Sequence, residues 1–298
     1  MGVQFWWFYD VIAAAVVLIS IFVTVKKGFF KAALSALGYV IAIIIALSLS
    51  SSIGGSIYKN SIRESVTKKV DQSLTDRGYI DELGKYLESL GYNVSVDRDT
   101  LYDICISGED VDQKIYKYLN NINNRKVDEE AIFMNKLHEG YASVTSGFVS
   151  KHLSEYSAEF TAEEIRNDPG KIYELLKLFD EPESLRKPAE FITDNYLKTP
   201  YTTLVKLITL IILLVLFLVI TILIVASTGK DDKVAPTLVT HFFSGLIGIF
   251  KGAVIVFLIA AIVRLYVVMG SNKMLFFNHE AIDNTYIFKY VYNFVKDM

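Results

Sequence analysis

Four histidines, His138, His152, His241 and His279, and a single cysteine, Cys105, are the side chains with which this 298-residue sequence could hold a metal ion or offer a soft nucleophile. Structural zinc takes four ligands and catalytic zinc three, at recurring spacings. Only His152-x-x-Glu155 puts two candidate ligands on one helical face, and no third is spaced to complete a site. The sequence contains no phosphate-binding Walker loop, no G-x-S-x-G and no H-E-x-x-H. Phosphoryl transfer, acyl transfer and zinc hydrolysis therefore lack a starting residue. One cysteine excludes an intrachain disulfide, and a lone thiol more often fills a core than reacts. The expectation is a chain that is not an enzyme and takes no metal or cofactor.

The remaining candidates are charges in apolar surroundings. Asp10, Lys206 and Arg264 lie within long hydrophobic runs, where an ionisable group is expensive and calls for a partner. By helix rise, Asp10 and Arg264 come at a similar depth, roughly 7 to 8 Å from the outer end of their runs. The first expectation is an intramembrane ion pair between them. Three others stay open: Asp10 capping its own helix, Arg264 reaching to headgroups, and Asp10 pairing with Lys206.

The elements that position these charges are four apolar segments. Phe5 to Val25 and Ala32 to Leu49 are each long enough to cross a hydrocarbon core of ~30 Å. Leu204 to Ala226 and about Gly252 to Met269 follow later in the chain. Lys26, Lys27 and Lys31 crowd the turn between the first two, and Lys230, Lys233 and Lys251 mark the corresponding end of the second pair. By the positive-inside rule both basic ends face the cytoplasm, and both termini and residues 51–200 face outward. Met1 to Tyr9 carries no Lys or Arg, so the first run is expected to stay as a membrane helix rather than be cleaved as a signal. Its aromatic start, Phe5 to Tyr9, suits the headgroup level.

Small residues suggest how the spans meet. Gly38, Ala42 and Ala46 recur every fourth residue, as do Gly248 and Gly252, with Gly245 one turn earlier. Such stripes let backbones approach closely. For the first stripe, the bland alternative is that small residues are simply common in apolar helices. For the second, it is an interfacial amphipathic helix that its glycines merely bend.

Charge separates the rest of the chain. Residues 51–200 hold 19 Lys and Arg against 27 Asp and Glu, whereas the overall net charge is only −3. Ile62, Val66, Val70 and Leu74, then Ile80, Leu83, Leu87 and Leu90, repeat at three or four residues and predict amphipathic helices. Asp99 is expected to cap a helix through Ile106, Ser107 to Asp110 to start another at Val111, and Thr161 to Glu164 to form a capping box. The carboxylates read as a solvated surface.

The fold class expected is an all-α membrane protein with four transmembrane helices in two hairpins. Residues 1–50 form the first hairpin, 51–200 an extracytoplasmic helical module between the second and third spans, 201–270 the second hairpin and 271–298 an extracytoplasmic tail. No basic stripe suits nucleic acid. The partners expected are the lipid bilayer, a protein of the envelope or secretion machinery, and a second copy of the chain.

Taken in order, Asp10, Lys27-Gly-Phe-Phe-Lys31, Leu34, Leu37 and Gly38, then Gly245-Leu-Ile-Gly-Ile-Phe-Lys-Gly252, and Glu280 to Phe288 in the tail, resemble the colicin V production protein (CvpA) family. The resemblance covers the two hairpins and the tail, about half the chain. It implies a small inner-membrane protein linked to bacteriocin production and envelope stress tolerance, with no catalytic residues to carry over. The middle insertion is longer than in compact members. Thr240-His241 stands where many members carry an acidic or amide residue followed by Arg.

Overall fold

The computed structural model describes residues 6–75, 77–180, 185–228, 237–270 and 279–298. The described residues form helices and no strand. The chain divides into two compact units, Met1–Ile57 with Thr202–Met298, and Tyr58–Tyr201.

The first unit carries four long apolar helices, α1 (Trp7–Lys26), α2 (Phe29–Ile57), α11 (Lys198–Ser227) and α12 (Leu238–Met269). Each is long and apolar enough to cross a membrane, so the chain has the makings of a multi-pass membrane protein. Their outer faces suit a lipid solvent. Leu18, Phe22, Ile44, Ile212 and Leu223 are all more than half exposed, which lipid tolerates and water does not. Gly28, at φ 82°, makes the turn between α1 and α2, a conformation that L side chains rarely adopt.

Within this unit α1 packs most closely on α12 rather than on its sequence neighbour α2. The reason is side-chain size. A Cβ at Gly248 would stand 2.5 Å from the Ile21 Cα, and one at Gly252 would stand 2.7 Å from the Val17 Cα. As the chain ascends α12 it meets earlier residues of α1, so the two run antiparallel. Gly38 of α2 lies against Thr221 of α11, and Gly54 against the Lys206 backbone. Ala42 and Ala46 between them are wholly buried. Gly245 was expected in the second stripe, but a side chain there would meet open space. The stripe advances in steps of four, so its earlier member is Ser244, 2% exposed.

Two expected boundaries move. The last span is not a helix from Gly252 but one of 32 residues from Leu238, started by a capping box between Thr237 and Thr240. The helix runs unbroken through its glycines, of which Gly248 and Gly252 are held against α1. Within the expected tail, the described residues 279–298 are largely helical. Two short helices, α13 (His279–Asp283) and α14 (Phe288–Lys296), belong to the membrane unit. Phe288 stacks on Tyr9 at 4.8 Å between ring centroids, and Phe294 meets Phe257 at 6.1 Å. Phe257 is twelve residues from the end of α12, about 18 Å by helix rise. The period that drives this packing, Phe288, Tyr292 and Val295, is present in the sequence, and all three are buried.

The second unit is helical and buries a hydrophobic core of its own. It contains α3 (Arg63–Ser73), α4 (Gly78–Ser89), α5 (Arg98–Ser107), α6 (Val111–Asn123), α7 (Glu130–Ser150), α8 (Glu155–Asn167), α9 (Lys171–Lys177) and α10 (Arg186–Ile192). The longest, α7, packs against α8, α4, α6 and α3. Its core joins Tyr79, Leu101, Ile115, Phe133, Tyr141 and Leu175, all fully buried. Among the described residues of this unit, Ile132 is the one large hydrophobic side chain left exposed. Two expected caps shift. Asp97, not Asp99, accepts the N–H of Thr100 to start α5, and Ser154, not Thr161, caps α8. Thr161 lies inside α8, where its hydroxyl donates to the Ser157 carbonyl.

Candidate functional site

Asp10 is the first of the predicted site residues to be relocated. It lies in the first turn of α1, and the chain brings the start of α14 over it. Its carboxylate accepts the backbone N–H groups of Tyr286, Ile287 and Phe288 at 2.6, 3.0 and 2.9 Å. Those groups have no intrahelical acceptor at a helix start, so an anion from elsewhere in the chain caps α14. No ion pair joins Asp10 to Arg264 or to Lys206 among the described residues. Arg264 is buried at 5% exposure, and the Lys206 amino group donates to the Met298 main-chain oxygen. The groups that Asp10 satisfies are backbone N–H donors rather than a side-chain cation.

The metal-ligand pair of the sequence does not assemble. His152 lies in the turn before α8 and Glu155 opens that helix, so they share no helical face. No group of three His, Cys, Asp or Glu suited to a metal occurs among the described residues. Burial pushes the Cys105 thiol up to about 12, so this side chain is a core filler with little thiolate near neutral pH.

The middle unit does contain a polar cluster that sequence spacing left scattered. Asp112 of α6 accepts the hydroxyls of Tyr141 (2.9 Å) and Tyr173 (2.7 Å), and its Oδ2 lies 2.8 Å from Nε2 of His138. Tyr141 is fully buried, and desolvation drives its phenol far above the usual range. One carboxylate thus ties α6, α7 and α9 together. With both oxygens engaged by three neighbours, the group reads as a structural knot rather than a free acid or base.

A concave site lined by three lysines lies in the membrane unit. A cavity of about 420 Å³ opens among α1, α2, α11 and α12, at the end bearing the Lys26 to Lys31 turn. Three lysines line it, Lys27, Lys31 and Lys251. Lys27 is exposed, Lys31 half-buried, and Lys251 only 7% exposed. The Lys251 Nζ stands 5.2 Å from the centre of the Tyr39 ring, a cation–π contact. Thr24 faces the same space at 1% exposure, and its hydroxyl has no hydrogen-bond partner among the described residues. No Asp or Glu is among the described lining residues, and none of the three lysines takes part in an ion pair with a described residue. Ile19, Val23, Ile222 and Val225 supply apolar walls.

Of the three lysines expected to set orientation, Lys27 and Lys31 thus face the cavity, while Lys26 lies over the Phe22 ring at 4.1 Å. Lys251 was read as a flanking charge. It became internal because α12 begins thirteen residues earlier. Lys230 and Lys233 lie outside the described residues. The periodic signal for Lys251 was available: it sits one residue before Gly252 on the face that meets α1 and α2. No family model, curated protein or solved structure matches the chain.

Proposed function

We propose that this chain is a non-enzymatic accessory or scaffold protein of the bacterial cytoplasmic membrane, serving toxin production or export and envelope homeostasis. Its four spans form two hairpins in sequence, with the Lys26 to Lys31 turn in the cytoplasm and both termini and residues 51–200 outside. The observation that supports the reading most is the division of labour between the two units. One exposes apolar side chains over four long helices, and the other hides nearly all of its own. A water-facing helical domain on a membrane anchor is suited to engaging another protein. The particular process rests on the resemblance of Asp10, Lys27 to Lys31 and Gly245 to Gly252 to the CvpA family.

A second reading, a transport or channel component, is favoured by the lysine-lined cavity. Against it, Asp10, Lys206 and Arg264 stand toward the opposite end, and among the described residues of the four spans no acidic or basic side chain continues from Lys251 toward them. The two are separated by photo-crosslinking from exposed positions of Tyr58–Tyr201 in the intact protein, together with toxin release after gene deletion. The accessory reading expects a discrete protein adduct from that unit and reduced toxin release. Unchanged release and stress tolerance, with no adduct, would remove it.

A further inference from the structure

We propose that the cavity among α1, α2, α11 and α12 binds a phosphate-type anion, carried by an anionic lipid headgroup or free in solution. The inference goes beyond the accessory reading and holds whichever face is cytoplasmic. It begins from Lys251, a residue only 7% exposed whose amine has no carboxylate partner among the described residues. Taking such a group out of water is costly unless an opposite charge accompanies it. The Tyr39 ring offers part of that compensation, but it contributes less than a full negative charge.

Three further features point the same way. Lys27 and Lys31 line the same space from the turn, so three cations converge where no described acid balances them. The buried Thr24 hydroxyl, without a partner among the described residues, is a donor available to an oxygen of the ligand. The volume, about 420 Å³, leaves room for a phosphate diester and the first methylenes beyond it. Phosphate oxygens accept from lysine and hydroxyl donors together, and the apolar walls suit the start of an acyl or glycerol portion.

The test uses the full chain purified in an uncharged detergent. Binding and thermal unfolding are followed while phosphatidylglycerol, phosphatidylcholine or inorganic phosphate is added, at matched ionic strength so that general screening is held constant. Phosphatidylglycerol should bind at least about tenfold more tightly than phosphatidylcholine, and Lys251→Met should remove that preference, since charge-assisted hydrogen bonds are lost. Lys31→Gln, on the half-buried rim, should weaken it as well and serves if Lys251→Met does not fold. Inorganic phosphate that competes with the lipid identifies a free-anion site, and failure to compete identifies the headgroup; both support the site. Equal binding of the two lipids with no effect of phosphate would overturn it. So would a preference that survives in every variant that folds.

Discussion

A single carboxylate, Asp10, holds the last helix of the chain to the first. It takes three backbone N–H groups at the start of α14, where the Tyr9 and Phe288 rings also stack. Asp10→Ala leaves those donors without their anion and is expected to cost about 1–3 kcal/mol. Asp10→Asn keeps the oxygen position that serves Ile287 and Phe288 and should lose less. Thermal unfolding in detergent, with protease susceptibility of residues 284–298, checks both. An unchanged tail in Asp10→Ala would show that packing alone holds it. The sequence disclosed that Asp10 needed a partner. It did not disclose that the partner was backbone, because every residue has the same N–H and the choice depends on where the tail returns. Lys251 escaped for a related reason. A lysine near a run of glycines is read as a boundary, and only the start of α12 at Leu238 makes it interior.

At the scale of elements, periodicity served well where one face met one environment. The stretches around Ile62 to Leu74 and Ile80 to Leu90 became α3 and α4 with those residues buried or half-buried. It served less well at caps, where several acidic or hydroxyl residues within a few positions compete, as Asp97 and Asp99 do. The small-residue stripe of α12 was legible in register except at Gly245. Gly248→Leu must push the Ile21 backbone away, and overpacking of this kind costs about 1–3 kcal/mol. Gly245→Leu enters open space and should be nearly neutral. The yield and unfolding temperature of the two variants in mild detergent provide the comparison. Equal loss from both would mean that helix flexibility, not contact with α1, explains the glycines.

For the whole molecule, composition alone separated a membrane part from an aqueous part, since no single solvent suits both Leu204 to Ala226 and the acidic residues of 51–200. The structure draws the division at Ile57 and Tyr201, close to the change in polarity. What composition did not reveal is the internal pairing, because α1 on α12 is chosen by residues more than two hundred positions apart. The proposed orientation rests on Lys26, Lys27 and Lys31, which oppose transfer of the short turn across the bilayer, whereas charges in a long segment count little.

The central claim, that Tyr58–Tyr201 is an aqueous unit on the opposite side of the membrane from that turn, has a direct measurement. In a Cys105→Ala background, single cysteines are placed at Lys26, which leaves Lys27 and Lys31 in place, and at the exposed Arg125. Each is treated with a membrane-impermeant thiol reagent in intact cells and again after permeabilisation. The account predicts that Arg125→Cys labels in intact cells and that Lys26→Cys labels only once the membrane is opened. Labelling of Lys26→Cys with protection of Arg125→Cys would invert the topology. The same result for both would mean that α2 does not cross the membrane.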